Sequence, residues 1–328
     1  MIVLLALAAA VQVAPAAQLE PLAFLVGYCW QGDIQPGVNN VHCFDTVEGG
    51  RVRDRHDVIR NGETIYSGET IYSWDATANA AAFVYSSGGA EVGRGHVRAI
   101  AGGLDFGRSD YGSGSDRVSV ASRWARVGGD AYDAIDTSAT ATHNRTTRYT
   151  RMATAPVRML SSTAADGRRT LVHELVVPAP ADQVFAALTT ADGWKSWAVP
   201  HAWVDPANAN LLETSYGANP QPGEATNIRQ EFLVRLPNRL IVFRTVQTPA
   251  GFPHADEYKQ IVSLIELTPE GAGTRIRLTG IGYAAGAPGD ALLGMFREAN
   301  RMTLEQLRAR FVTGPIDWAA RQRAAPAR

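Results

Sequence analysis

The sequence predicts two domains of different class, an antiparallel β-barrel followed by an α+β domain in which a long helix covers an antiparallel sheet. The chain has 328 residues, which suits two domains of ordinary size. Residues 18–155 alternate apolar and polar positions between glycine turns, whereas residues 168–312 combine strand segments with the period of amphipathic helices. We therefore predict a linker at 156–167 and a flexible tail at 313–328.

Composition and charge exclude several classes of protein. Hydrophobic residues make up 45% of the chain and aromatic residues 8%, as in ordinary globular proteins and unlike disordered ones. The formal net charge of −1 argues against a nucleic-acid partner, because proteins that bind nucleic acid usually carry a basic excess. No apolar run reaches about 18 residues, so we expect no integral membrane segment once a leader at the amino terminus has been removed.

The first 17 residues have the character of a secretory signal peptide. An apolar, alanine-rich run is followed by Ala14 and Ala16, which occupy the small-residue positions of a cleavage site. The alternative is a buried first helix, but Pro15 ends the run as a processed leader would end. We therefore predict a signal peptide at 1–17 and a periplasmic or secreted protein.

The two cysteines, Cys29 and Cys43, lie in strand-like segments on either side of a turn at Pro36-Gly37. An antiparallel hairpin about this turn places the cysteines opposite each other, close enough for a disulfide. A metal pair or two buried thiols are the alternatives, and the absence of a C-x-x-C pair or a third cysteine disfavours zinc. A disulfide persists only in an oxidising compartment, which agrees with export.

The first domain reads as a succession of short strands. Glycine-containing pairs mark the turns, at Gly49-Gly50, Asn61-Gly62, Gly88-Gly89, Gly102-Gly103 and Gly128-Gly129. The segment ETIYS occurs at 63–67 and again at 69–73, an even offset that keeps both copies in the same orientation and predicts a long strand or a close hairpin. About eight to ten such strands without helices predict a barrel or sandwich, and closure of a barrel removes exposed edges.

Several segments of this half resemble a family of bacterial lipocalin-like barrels. They are FLVGYCWQG, HCF, RVRDRH and ETIYSWD, and the first of them is also similar to the start of the haem-binding nitrobindin barrels. The resemblance implies a lipocalin-like β-barrel. Nitrobindins bind haem iron through an axial histidine, a role that we assign to no histidine of this chain, so we predict no cofactor.

One strand of this barrel carries a candidate polar site. In residues 51–60 the arginines share one face, and Val52, Asp54, His56 and Val58 share the other. If the valines mark the interior, Asp54 and His56 point into the lumen, where a carboxylate beside an imidazole can orient a polar ligand or act as acid and base. The alternative is a structural ion pair at the mouth of the barrel.

The second half contains, in order, a strand at 171–177, two short helices, a series of strands from about 200 to 283, and a long helix from about 288 to 312. Two segments, VVPAPADQVFAALTTADGWKSWAVP and DALLGMFREANRMTLEQLRARF, resemble the SRPBCC/START-like superfamily, and within it the Hsp90-ATPase activator homologue and polyketide cyclase/dehydrase-like proteins. The resemblance covers 168–312 and implies a helix-grip fold with a pocket between the curved sheet and the last helix.

We predict that this pocket binds a ligand through aromatic, methionine and loop residues. The predicted contacts are Trp197, Trp203, Phe232, Phe243, His254, Tyr258, Met295, Phe296 and Ala299. The alternatives are that the apolar members are ordinary core and that the polar loop around His254 is merely solvated.

The sequence contains no H-E-x-x-H, G-x-S-x-G or phosphate-binding loop, so we assign no catalytic residue and no metal ligand. The predicted function is the binding of a small hydrophobic or amphipathic molecule, and protein partners are not predicted. One alternative is a polyketide cyclase/dehydrase-like enzyme that uses His254, or Asp54 with His56. Another is an Hsp90-activator-like chaperone regulator, which a cleaved leader would nearly exclude because that ATPase is cytosolic.

Overall fold

The computed structural model describes residues 15–324, and these divide into two compact units, one ending at Pro156 and the other beginning at Val157. The predicted signal peptide at 1–17 therefore falls almost entirely outside the described residues, and Ala17–Leu22 forms a short 3₁₀ helix. Among residues 15–324, no helix is both long and apolar enough to cross a membrane.

The first unit is a closed antiparallel barrel in which each strand pairs with the next and the last pairs with the first, which confirms the predicted fold. Its ten strands are β1 Cys29–Gln35, β2 Val38–Val47, β3 Arg51–Arg60, β4 Glu63–Asp75, β5 Ala80–Ser87, β6 Ala90–Ile100, β7 Gly103–Tyr111, β8 Val118–Arg126, β9 Ala131–Ser138 and β10 Arg145–Arg151.

Two details of the barrel agree with the sequence-based expectations. Cys29 and Cys43 face each other across β1 and β2 and form a disulfide. Both copies of ETIYS lie in the single long strand β4. Because their offset is even, Tyr66 and Tyr72 share one face of that strand.

The two ends of the barrel lumen differ in polarity. Leu19, Leu22 and Leu25 pack into one end together with a cluster of buried apolar and aromatic side chains that includes Val52, Trp30, Tyr72, Leu104 and Tyr132. Further along the same inward faces stand Asn40, Asp54, His56, Tyr66 and Tyr85. The barrel therefore has an apolar end closed by the segment before β1 and a polar end opposite to it.

The second unit is a sheet of eight antiparallel strands with a long helix packed on it, which confirms the predicted START-like arrangement. Its strands are β11 Arg158–Thr163, β12 Arg169–Val177, β13 His201–Asp205, β14 Asn208–Ser215, β15 Ile228–Leu236, β16 Leu240–Gln247, β17 Val262–Glu270 and β18 Gly273–Tyr283. They lie in the order β11-β12-β18-β17-β16-β15-β14-β13. Its helices are α1 Ala181–Thr189, α2 Ala191–Lys195, α3 Ala255–Tyr258, α4 Ala287–Thr313 and α5 Trp318–Ala324.

The structure differs from the sequence-based expectation at both borders of this unit. Residues 158–163, expected in a linker, form β11, which pairs with β12 along its whole length and buries Met159. The segment after α4, expected as a flexible tail, includes α5, and the Trp318 ring N–H donates to the Lys195 carbonyl at 2.6 Å. In each case apolar residues within a polar stretch find tertiary partners, which sequence periodicity does not show.

The interior of the second unit consists of two apolar clusters along α4. The larger cluster lies between the sheet, α1 and the second half of α4, where Leu304 and Leu307 are buried. The smaller cluster surrounds Leu292 and Leu293 in the first half of α4 and includes Tyr283. Because both halves of α4 bury apolar residues against the sheet, the helix is held in place over the strands.

Candidate functional site

The face of the second unit's sheet that packs against α4 is not uniformly apolar. Strand alternation places His173, Thr214, Gln230 and Thr245 on the same face as buried core residues, and all four are themselves buried. Buried polar side chains normally require hydrogen-bond partners. A buried polar atom without a partner therefore marks a place where the interior lacks a hydrogen-bonding group.

Gln230 is 8% exposed, and its Oε1 atom has no hydrogen-bond partner among the described residues. It stands on β15 between Leu212 of β14 and Thr245 of β16. The Thr245 hydroxyl is hydrogen-bonded to the side chain of Tyr258, and burial raises the pKa of that phenol. The sheet interior thus contains a buried amide acceptor without a donor, beside a paired hydroxyl and phenol.

His173 joins the sheet to α4. Its Nε2–H donates to the carbonyl of Arg297 at 3.0 Å, and its Nδ1 has no partner within residues 15–324. Burial lowers the pKa of His173, with a smaller opposing effect from the bonded carbonyl, so the ring favours the neutral form. This contact holds the middle of α4 at a defined height above β12.

The aromatic residues predicted at the pocket lie in the larger apolar cluster. Trp197 is 2% exposed and its ring N–H donates to the Ala187 carbonyl at 3.0 Å. Phe232 and Phe243 face each other across β15 and β16 in an edge-to-face contact with ring centroids 6.4 Å apart. The structure places Trp197 in the core. The two phenylalanines lie at the edge of the same cluster, next to Gln230 and Thr245 along β15 and β16.

The predicted residues of α3 and α4 lie with the smaller cluster. Tyr258 stacks on Phe296 with centroids 4.7 Å apart, and Met295 packs against the same group. Ala299, half-buried, follows one turn later on α4, between the smaller cluster and Leu304 of the larger one. Ala299 is therefore a small side chain that lies, along α4, between the residues of the two clusters and belongs to neither.

Two of the predicted contacts lie elsewhere. Trp203 stacks on His201, but it follows the core residue Ala202 on β13 and thus points to the opposite face of the sheet. His254 is exposed at the start of α3, where its backbone has a left-handed φ of 51°. Neither side chain joins the group around Gln230, because strand parity and the loop conformation direct them outward.

In the barrel, the structure places Asp54 and His56 on the inward face of β3, as the alternation of residues 51–60 predicts. The ion-pair partner of Asp54 is, however, a third residue. His42 of β2 donates from Nδ1 to Asp54 Oδ2 at 2.8 Å, and Asp54 is only 2% exposed. The carboxylate therefore orients His42 rather than His56.

His56 stands within a stack of rings. Its ring centroid lies 4.9 Å from that of His42 and 5.6 Å from that of Tyr85. The Tyr85 hydroxyl is 2.5 Å from the hydroxyl of Tyr66, which is 40% exposed at the rim. Burial, and then the charges of His42 and Arg145, lower the pKa of His56 to about 3, so His56 is neutral at physiological pH.

Asn40 completes this group on β2. Its amide Nδ2 lies 3.0 Å from His42 Nε2 and donates to the Tyr149 hydroxyl at 2.9 Å. Asn40 Oδ1 and Asp54 Oδ1 are both buried without a hydrogen-bond partner in the described part of the chain. These two oxygens are thus buried acceptors in the lumen for which residues 15–324 supply no donor.

Sequence reasoning missed His42, Asn40 and the tyrosines of this group. The signal for His42 was present, because a hairpin about Gly49-Gly50 that pairs Asp54 with Phe44 also places His42 directly opposite His56. Tyr149 comes from β10, which closure of the barrel brings beside β1. Tyr85 lies two strands from His56 and reaches it over Gly68, a contact that strand alternation alone does not show. Over the described range, no group of three His, Cys, Asp or Glu side chains is arranged to hold a metal ion.

The match to a known protein family lies within the second unit. Residues 168–312 match the model of a family described as polyketide cyclase / dehydrase and lipid transport, which confirms the resemblance stated from the motifs. No curated protein matches the chain.

Solved structures similar to this chain include the Aha1 dimer from Colwellia psychrerythraea, which is 14% identical. The alignment covers 44% of this chain and 97% of that chain, with a TM-score of 0.35. CalU16 from Micromonospora echinospora is 20% identical over 52% of this chain and 91% of its own, with a TM-score of 0.35. Mll3558 from Rhizobium loti has 24% identity, 46% and 97% coverage and a TM-score of 0.30. TM-scores of this size support no conclusion about function.

Proposed function

We propose that the second unit binds a small amphipathic molecule between α4 and its sheet, with an apolar body and at least one hydrogen-bond donor. The observation that carries this proposal is the unpartnered Oε1 of Gln230, a buried acceptor on the face that packs against α4. Phe232 and Phe243 lie next along the same faces of β15 and β16. Tyr258, which is hydrogen-bonded to Thr245 opposite Gln230, stacks on Phe296. A donor-bearing apolar ligand matches this combination.

The unpaired acceptor of Gln230 carries an energetic cost. A buried polar atom without a partner costs about 1–3 kcal/mol, and a ligand that donates to it recovers part of that cost. A wholly apolar ligand of the same shape leaves the acceptor unpaired. The site therefore favours an alcohol, amide or amine over the corresponding ether or alkane.

Two further observations support this assignment. The family model matched by residues 168–312 includes lipid transport in its description. The Cys29–Cys43 disulfide of the first unit agrees with an oxidising compartment, so we include export and removal of residues 1–17 in the proposal. The amino-terminal sequence of protein secreted by a bacterial host tests this part, and a mature chain that retains residues 1–17 would contradict it.

The binding experiment uses N-phenyl-1-naphthylamine as a fluorescent probe on the full chain. The probe is displaced with 1-decanol and, in parallel, with 1-methoxydecane, which has the same apolar body and no donor. We expect wild-type protein to bind the alcohol roughly 3- to 10-fold more tightly than the ether, the worth of one hydrogen bond.

The variants assign that preference to one residue. Gln230→Leu should lose the preference for the alcohol and still bind the ether. Gln260→Leu, at an exposed position of the same unit, should keep the preference for the alcohol over the ether. Absence of probe binding by the wild type, or an unchanged preference in Gln230→Leu, would refute the proposal.

A further inference from the structure

We propose that the polar end of the barrel lumen is a second binding site, for a small planar molecule that carries hydrogen-bond donors. This site lies within the first unit and is independent of the function proposed for the second. The site combines unpartnered acceptors with a carboxylate and with aromatic rings that surround them.

The acceptors are deeply placed. Asp54 is 2% exposed and Asn40 7% exposed, and each has one oxygen without a hydrogen-bond partner in the described chain. Both are tied to His42, Asp54 through its other oxygen and Asn40 through its amide nitrogen. Their orientations are thus fixed by His42, and a guest that donates to the two oxygens would supply the hydrogen bonds that they lack.

The charge of this group selects donors and disfavours anions. The Asp54 carboxylate accepts from His42 through Oδ2, and its Oδ1 has no donor in the described chain. The depressed pKa of His56 keeps that ring neutral near neutral pH. Arg145, whose charge contributes to this depression, lies 3.4 Å from the Asp136 carboxylate, and Ser122 also donates to Asp136 at 2.7 Å. Neutral molecules with N–H or O–H groups therefore fit better than carboxylates or phosphates, because the unpartnered oxygens need donors and further acceptors would stay unpaired.

The walls are aromatic and favour a flat body. His42, His56 and Tyr85 form one stack. A second stack runs through Trp124, Tyr132 and Tyr149, with centroids 5.0 Å and 4.9 Å apart. The His42 ring meets Tyr149 edge-on at 5.3 Å, which joins the two stacks around the acceptors. Planar rings bound on such surfaces gain from stacking as well as from burial.

Catechol is a suitable probe because it is flat and has two O–H donors, and 1,2-dimethoxybenzene is its matched counterpart without donors. Titration calorimetry of the full chain under nitrogen should detect catechol binding and much weaker or no binding of the dimethyl ether. Equal affinity for the two compounds, or no binding of catechol, would overturn the proposal.

The substitution Asp54→Asn keeps the shape of the side chain. Its amide oxygen can still accept from His42, so its NH₂ group takes the position of the free acceptor. We expect catechol affinity to fall about 10- to 100-fold, the worth of a hydrogen bond to a charged group. Asp130→Asn, at an exposed turn of the same barrel, should bind catechol as the wild type does.

Two controls separate this site from the other. Circular dichroism and the melting temperature establish that Asp54→Asn is folded. Gln230→Leu should leave catechol binding unchanged, so failure of one proposal does not entail failure of the other. Unchanged catechol affinity in folded Asp54→Asn would contradict the assignment of the lumen site.

Discussion

The ring of Tyr85 stacks on that of His56 and occupies the space where a side chain at position 68 would stand, because Gly68 lies opposite His56 on the neighbouring strand. A Cβ atom at Gly68 would overlap the Tyr85 ring. Position 68 in the middle of β4 therefore requires glycine, because any larger side chain would displace the Tyr85 ring from the lumen.

Gly68→Ala should displace Tyr85 and destabilise the barrel by about 1–3 kcal/mol, the usual cost of overpacking a well-packed interior. The free energy of unfolding is read from hydrogen exchange in barrel peptides across a urea series. Gly129→Ala is the matched control, since a Cβ there meets no atom within 4 Å, and it should change the value by less than about 0.5 kcal/mol. Equal stability of the two variants would show that Tyr85 is not held in this position.

Acid should destabilise the barrel through His56. The pKa of His56 is about 3 in the folded chain against an ordinary value of 6.5, so between these values the unfolded chain binds a proton that the folded chain does not. The unfolding free energy therefore falls as the pH drops from about 6.5 toward 3. His56→Phe keeps a ring in the stack and should make this fall shallower, measured by urea denaturation at pH 7 and about pH 5.

His254→Phe, at an exposed histidine of the second unit, serves as the control for this experiment and should leave the barrel's pH dependence unchanged. An identical pH dependence in wild type and His56→Phe would contradict a neutral, buried His56.

The disulfide should contribute to the stability of the barrel. Cys29 and Cys43 close a loop of about 15 residues, for which loop entropy gives about 3 kcal/mol. The double variant Cys29→Ser with Cys43→Ser should lose about this amount in barrel unfolding, and dithiothreitol should destabilise only the wild type. A wild type indifferent to dithiothreitol would show that the bond does not form in solution.

Trp197 should act through stability rather than through ligand contact. Trp197→Phe removes a buried hydrogen bond to Ala187 and leaves space in the core, so we expect a loss of about 1–3 kcal/mol with unchanged affinity for N-phenyl-1-naphthylamine. Trp203→Phe, on the opposite face of the sheet, should change stability by less than about 0.5 kcal/mol. A large loss of probe affinity in folded Trp197→Phe would restore Trp197 as a ligand contact.

The sequence predicted most of the fold because its periodicities are local. Alternation in residues 51–60 placed Asp54 and His56 in the lumen, and the turn at Pro36-Gly37 placed Cys29 opposite Cys43. The strand at 158–163 was missed because its residues are mostly polar and it is defined by pairing with β12. Tertiary pairing, not local preference, decides that segment.

The candidate sites were harder to predict than the fold. Trp203 was assigned to the pocket by residue type, although its orientation depends on the parity of a five-residue strand. His254 was assigned by the density of polar residues in its loop. The unpartnered oxygens of Asn40 and Gln230 depend on which side chains surround them, and no spacing rule in the sequence contains that information.

The most direct test of the proposed function is the affinity of Ala299→Phe for N-phenyl-1-naphthylamine, with the free energy of unfolding as the check on folding. Ala299 is a half-buried small side chain on α4, one turn after Phe296 of the smaller cluster, so a phenyl ring there should extend toward the space proposed for the ligand. We predict an affinity at least about 10-fold lower at nearly unchanged stability, the effect of losing one good apolar contact surface. Unchanged probe affinity, or a stability loss of about 1–3 kcal/mol from overpacking, would contradict a ligand between α4 and the sheet.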